Sequence, residues 1–113
     1  SGMTAVTRCP IGPIRTDPEL RAMSEDALHE SIAVARAKQI PLPSSTFAEI
    51  VAATDTLPAS ARSSMLEDLE RGRPLELPWL SGAVVRIGDE VGIVTPTHRL
   101  MVSLLGPHVN GRR

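Results

Sequence analysis

Ser63-Ser64, Asp68 and Glu76 are the residues of this chain whose types and spacing could do chemistry. They lie on either side of one tight Gly72-Arg73-Pro74 turn. A hydroxyl and two carboxylates brought together beside a helix start make a polar pocket mouth against an aliphatic wall. Such a mouth suits a small, oxygen-rich ligand. Glu76 is the conspicuous member, because Leu75, Leu77, Pro78, Trp79 and Leu80 surround it. A carboxylate is costly to bury there unless it has a partner. Each residue also has a plainer role. Ser63-Ser64 can supply the hydroxyl that bonds a free amide at a helix start. Glu67 and Asp68 can be first-turn acids facing the helix dipole. Glu76 can be an acid in the first turn of the next helix with its side chain in water. Trp79 reads as a core or interface anchor.

The elements that must position these residues are helical. The lead-in, residues 1–16, carries glycines and prolines around Cys9 to Pro13 and reads as irregular. Asp17-Pro18-Glu19 is a helix start, with an acceptor at the N-cap and proline at the first helical position. Leu20, Met23, Ala27, Leu28, Ile32 and Ala35 then give an apolar face at the 3.6 period to about Lys38. "IPLPSST" breaks the chain. Thr46 and Glu49 have the spacing of a capping box for a helix from Phe47 to about Asp55. A third helix is expected from about Ser60 to Arg71, stopped by Gly72. A fourth is expected from about Glu76 to Glu90, with Pro78 in its first turn and Leu80, Val84, Ile87 and Val91 as its stripe. Thr95-Pro96 opens a fifth that ends at Leu105, before Gly106-Pro107. No strand alternation competes with this pattern. The expected fold is all-α, a bundle of about five helices with short connections.

Composition bounds the function. At 113 residues the chain makes one compact domain, 1–113. It has one Phe, one Trp and no Tyr, so the core must be aliphatic. The net charge of -1, with no Lys/Arg block beyond Arg112-Arg113, gives nucleic-acid binding no electrostatic footprint. No apolar run approaches the ~18 residues of a membrane span, and no signal peptide is seen. Cys9 is the only cysteine, which fits a reducing cytoplasm. His29, His98 and His108 have no ligand spacing with each other or with Cys9, so no metal site is expected. His29 reads as a solvated helix residue and Cys9 as a small apolar one. No G-x-G-x-x-G follows a strand, so the chain holds no dinucleotide fold of its own.

The run S-S-M-L-x-D-L-x-x-G-R-P-x-E-L, a short gap, then G-A-V-V-R-I-G and T-P spans Ser63 to Pro96. With the lead-in "MTAVTRCPIGPIRTDPELRAM", it resembles the C-terminal domain of the 2-dehydropantoate 2-reductase (ketopantoate reductase) family. That is a helical domain of the 6-phosphogluconate dehydrogenase C-terminal-like type. The resemblance implies a parent enzyme with an N-terminal Rossmann domain for NADPH. It implies reduction of a small 2-oxo acid at its C2 carbonyl, giving pantoate for pantothenate synthesis, and a homodimer. It implies that Ser64 contacts the substrate and that Asp68 supports the same pocket. It implies that Glu76 sits beside the catalytic lysine and the ligands, cofactor included. The family's lysine-bearing helix precedes the lead-in, and the single lysine here, Lys38, is elsewhere. The chain departs from the family pattern at Leu75 and Pro78, where Thr and Asp flank the acid. It departs again at Ser81 and near His98, where the family has Asn. The resemblance thus makes the chain the substrate-side half of an NADP-dependent oxidoreductase, inactive and cofactor-free alone. The alternative of another class is a free-standing helical domain used for self-association, without catalysis. The reading frame upstream of Met3 separates the two.

Overall fold

The computed structural model describes residues 2–111. Its order is α1 (Gly2–Thr7), α2 (Ile11–Thr16), α3 (Pro18–Ala37), α4 (Thr46–Asp55), α5 (Ser64–Glu70), a 3₁₀ turn (Leu77–Trp79), α6 (Ser81–Val91), α7 (Pro96–Leu105) and a second 3₁₀ turn (Gly106–His108). Among the described residues there is no strand. The all-α class is as expected; the expected five helices become seven α-helices among the described residues.

Asp17 starts α3 as its sequence predicts. Its Oδ1 accepts the amide protons of Glu19 at 2.9 Å and Leu20 at 3.1 Å, with Pro18 at the first helical position. Gly72 ends α5 in the left-handed region at φ 67°, and Gly92 ends α6 at φ 78°. A side chain at either φ would be strained.

Four expectations are corrected. The lead-in is helical: Arg8, at φ 56°, turns α1 sharply into Cys9-Pro10 and α2. The Thr46/Glu49 capping box does not form. Thr46 is already helical, and its hydroxyl donates to the Pro43 carbonyl at 2.7 Å. α5 begins at Ser64, not near Ser60, because the carbonyls of Ala59 and Ala61 are taken by the amides of Gly12 and Ile11 at 2.9 and 2.8 Å. The fourth helix is split at Leu80, where φ −110° and ψ −102° break the ladder between the 3₁₀ turn and α6. That break leaves Leu77 and Ser81 both buried while Trp79 stands 77% exposed. Trp79 is therefore no core anchor.

The core is aliphatic, in two clusters that share α1. Ala5, Met65, Leu75, Leu77 and Leu105 form one; Met3, Ile14, Ala27 and Met101 form the other. α1 joins them by placing Met3 and Ala5 on opposite sides. α6 packs along α7, α3 crosses both, and α5 packs on α1. α4 has no buried residue and leans on α3, where Phe47 stacks on the exposed His29 ring at 3.9 Å.

Candidate functional site

Ser63 and Ser64 divide the labour the sequence left open. Ser63 is the N-cap of α5, its Oγ accepting the Leu66 amide proton at 3.1 Å. Its hydroxyl also meets Thr4 of α1. Ser64, the first helical residue, is exposed. One hydroxyl builds the helix and its neighbour faces out of it.

Asp68 lies one turn further along α5, on the same side as Ser64 by its i,i+4 spacing. Its carboxylate pairs with Arg73 Nε at 3.1 Å, and its backbone carbonyl accepts the Arg73 amide proton at 2.8 Å. Asp68 therefore closes the Gly72-Arg73-Pro74 turn. Beyond that turn, burial alternates. Leu75 and Leu77 are 6% and 2% exposed, and Glu76 between them points to solvent. The apolar run that makes Glu76 look misplaced is thus an in-out-in sequence, anchored by the Leu75 amide on the Val109 carbonyl at 2.9 Å. Among the described residues Glu76 and Ser64 make no side-chain hydrogen bond. Their polar groups are open to a partner from outside the domain. Neither lines the large cleft described next.

That cleft encloses ≈ 550 Å³ between α1, α3, α6 and α7. Its walls are Val34, Ala35, Val84 and Ile87; Ile40, Trp79 and Leu80 stand at its rim, with Lys38 at one end. Its floor is polar. His98 is 8% exposed, and its Nε2 lies 2.8 Å from the Ala27 carbonyl oxygen. A carbonyl only accepts, so Nε2 carries the proton. Nδ1, 3.0 Å from Ser81 Oγ, then accepts the Ser81 proton. Ser31 donates to the same Ala27 carbonyl at 3.0 Å and lies 2.9 Å from Nε2. A buried polar network of this kind is tolerated because every member is satisfied.

Sequence reasoning missed this network and the groups that hold it. Glu30, on α3, bonds the Thr97 and His98 amides at 2.9 and 3.1 Å. It thereby caps α7, a task Thr95 does not perform. Arg15 was also missed: its Nη1 reaches the Thr54, Asp55 and Leu57 carbonyls at 3.1, 3.4 and 2.5 Å. No local signal announces either contact, since each partner lies far away in the chain. Arg21 pairs with Asp55 through both guanidinium nitrogens at 3.0 Å. The hydrogen bond from Arg21 holds the Asp55 carboxyl below its ordinary range, against a smaller opposing effect of desolvation. Arg62 does the same for Glu67.

Residues 1–108 match the family model described as ketopantoate reductase PanE/ApbA C terminal. The 2-dehydropantoate 2-reductase of Mesorhizobium japonicum is 31% identical over 103 residues, 91% of this chain and 31% of that protein. That of Mycobacterium tuberculosis H37Rv is 32% identical over 93 residues, 82% of this chain and 32% of that protein. Among solved structures, the PanE/ApbA family ketopantoate reductase of Ralstonia eutropha superposes with a TM-score of 0.86 at 32% identity, over 96% of this chain and 36% of that one. A dimeric ketopantoate reductase from Staphylococcus aureus superposes with a TM-score of 0.87 at 25% identity, over 95% of this chain and 37% of that one. The chain spans about a third of the length of these relatives. With its helices in their order and its matched stretch running through Ser64, Asp68 and Glu76, the chain belongs to the ketopantoate reductase C-terminal domain family.

Proposed function

We propose that this chain is the substrate-side domain of an NADPH-dependent 2-oxo-acid reductase acting in pantothenate synthesis. In this reading a Rossmann domain is its partner, the assembly is a homodimer, and the reaction takes place in the cytoplasm. The observation that carries it is the division of roles at Ser63-Ser64: the first serine caps α5, which leaves the second exposed and free for a ligand. The family match through this segment supports the same reading.

The residues fit such a task. Glu76 offers an exposed carboxylate with no side-chain partner among the described residues, open to a cation and a cofactor edge from outside this chain. A nicotinamide cofactor, when bound there, supplies the hydride for the C2 carbonyl. Ser64 contributes a hydrogen bond to an oxygen of the substrate. Glu76 holds the lysine, carried in the family on the helix that precedes the lead-in, charged and aimed, since opposite charges at close range favour each charged form. Asp68 fixes the turn that spaces Ser64 from Glu76, through its bond to Arg73.

The test is NADPH oxidation, followed by absorbance, with 2-dehydropantoate and a panel of other 2-oxo acids. The chain alone is expected to show no turnover, for want of a general acid and a pyrophosphate cradle. Joined to a dinucleotide-binding domain and the lysine-bearing helix of the family, it is expected to reduce one of these acids. Turnover by the chain alone, or none by the two-domain protein, overturns the proposal.

A further inference from the structure

We infer that α2 is a clamp that places Ser64, with Arg15 as its positioning residue. The inference rests on the reading of Ser64 as the substrate serine.

The chain from the end of α4 to Ser64 crosses residues 56–63 without regular structure. α2 grips that stretch at both ends. The last carbonyls of α4 carry the negative end of its dipole, and the Thr54 carbonyl, which already accepts the Leu57 amide at 3.1 Å, has a second lone pair to offer. Arg15 Nη1 bonds those of Thr54 and Asp55 and the Leu57 carbonyl beyond them. At the other end of α2, the Ile11 and Gly12 amides donate to Ala61 and Ala59. Gly12 makes the approach possible: a Cβ there would lie 2.9 Å from both the Ala59 Cβ and the Ala59 carbonyl oxygen. Two residues past Ala61, Ser63 is fixed by Thr4 and by the Leu66 amide. Every stage of the path to Ser64 is tied to α1 or α2, and Arg15 supplies the charge-assisted tie.

A helix that only braced the fold would satisfy the same bonds, so the test must read Ser64 itself. In the 113-residue chain, Arg15→Gln is expected to speed amide exchange at Ile11, Gly12 and Leu66 by roughly tenfold, as the segment opens locally. Faster exchange at Ile11 and Gly12 with Leu66 unchanged overturns the inference, as does no change at all. Gly12→Ala attacks the same clamp from its other end and should show the same three amides. In the two-domain enzyme, Arg15→Gln should raise KM for the 2-oxo acid roughly tenfold at unchanged kcat, the effect of one lost charge-assisted hydrogen bond. In a Ser64→Ala background it should raise KM no further. Additive effects would show that Arg15 acts elsewhere and would overturn the inference. Arg15→Lys keeps one donor and should recover part of the loss. A two-domain protein that reduces no 2-oxo acid defeats the functional reading, while the exchange result still decides the clamp.

Discussion

His98 and Ser81 are bonded to each other, Nδ1 to Oγ at 3.0 Å, across the floor of the cleft between α1, α3, α6 and α7. The ring joins two helices: His98 Nε2 donates to the Ala27 carbonyl of α3, and Nδ1 accepts from Ser81 of α6. Met101 Sδ packs 3.7 Å from Ser81 Oγ on the apolar side.

The pair should therefore be energetically coupled. Ser81→Ala leaves Nδ1 without a partner in a buried site and should cost about 1–3 kcal/mol. His98→Ala removes a ring from the cleft floor as well, and should cost about 2–5 kcal/mol. The double variant should cost less than the sum by roughly 0.5–3 kcal/mol. Chemical denaturation of the four proteins measures this. Strict additivity would mean the two side chains do not act together.

Glu30 should contribute through α7. Its carboxylate satisfies two amides at the positive end of that helix. Glu30→Ala should cost about 0.5–2 kcal/mol, the range of a lost N-cap. Glu30→Gln keeps the volume and one acceptor but turns the other oxygen into a donor facing an amide, so it should lose much of the same stability. A Glu30→Gln variant as stable as wild type would assign the loss in Glu30→Ala to packing instead.

The Arg21–Asp55 pair gives a pH signature. The Asp55 carboxyl is held below its ordinary value of 3.8, first by the Arg21 hydrogen bond. A lowered folded-state value means the stabilisation is fully present above the ordinary value and fades as pH falls through the lowered one. The pair is exposed, so the effect is small and screened by salt. Asp55→Asn should lower Tm at neutral pH. The difference from wild type should shrink as the pH falls below the ordinary value of 3.8, and shrink also in high salt. A gap that persists in acid would mean the substitution acts through something other than charge.

Much of the fold was legible in the chain because its signals are local. Asp17-Pro18, Gly72 and Thr95-Pro96 mark boundaries by backbone chemistry alone, and α3 shows its face at the helical period. The errors arose where a tertiary contact overrode a local rule. Thr46 spends its hydroxyl on Pro43. Ala59 and Ala61 spend their carbonyls on α2, which delays α5 by a turn. The site was half legible for the same reason. Ser64 and Glu76 stand out by type and spacing, whereas Arg15 and Glu30 act on backbone groups 39 and 67 residues away. Glu76 was puzzling only while its neighbours were read as one helical run; the buried Leu75 and Leu77 on either side leave it facing water.

Ser64 and Glu76 should separate in the kinetics of the two-domain enzyme. Both are exposed, and neither makes a side-chain hydrogen bond among the described residues. Folding should therefore be nearly indifferent to either change, with a shift of less than about 0.5 kcal/mol, as for surface positions generally. In the proposed reading Ser64→Ala removes a hydrogen bond to the substrate and should act mainly on KM. Glu76→Gln keeps the size and removes the charge proposed to hold the lysine. Its kcat/KM should fall by roughly 10²-fold or more, the scale of general acid–base catalysis. The fall should appear chiefly in kcat, because the lysine's proton is needed as the alkoxide forms. If Glu76 were only an acid beside a 3₁₀ turn, both variants would keep wild-type kinetics. Steady-state rates with thermal melts alongside decide the matter. Near-full activity in Glu76→Gln would remove Glu76 from the site and leave Ser64 as this domain's contribution to the substrate.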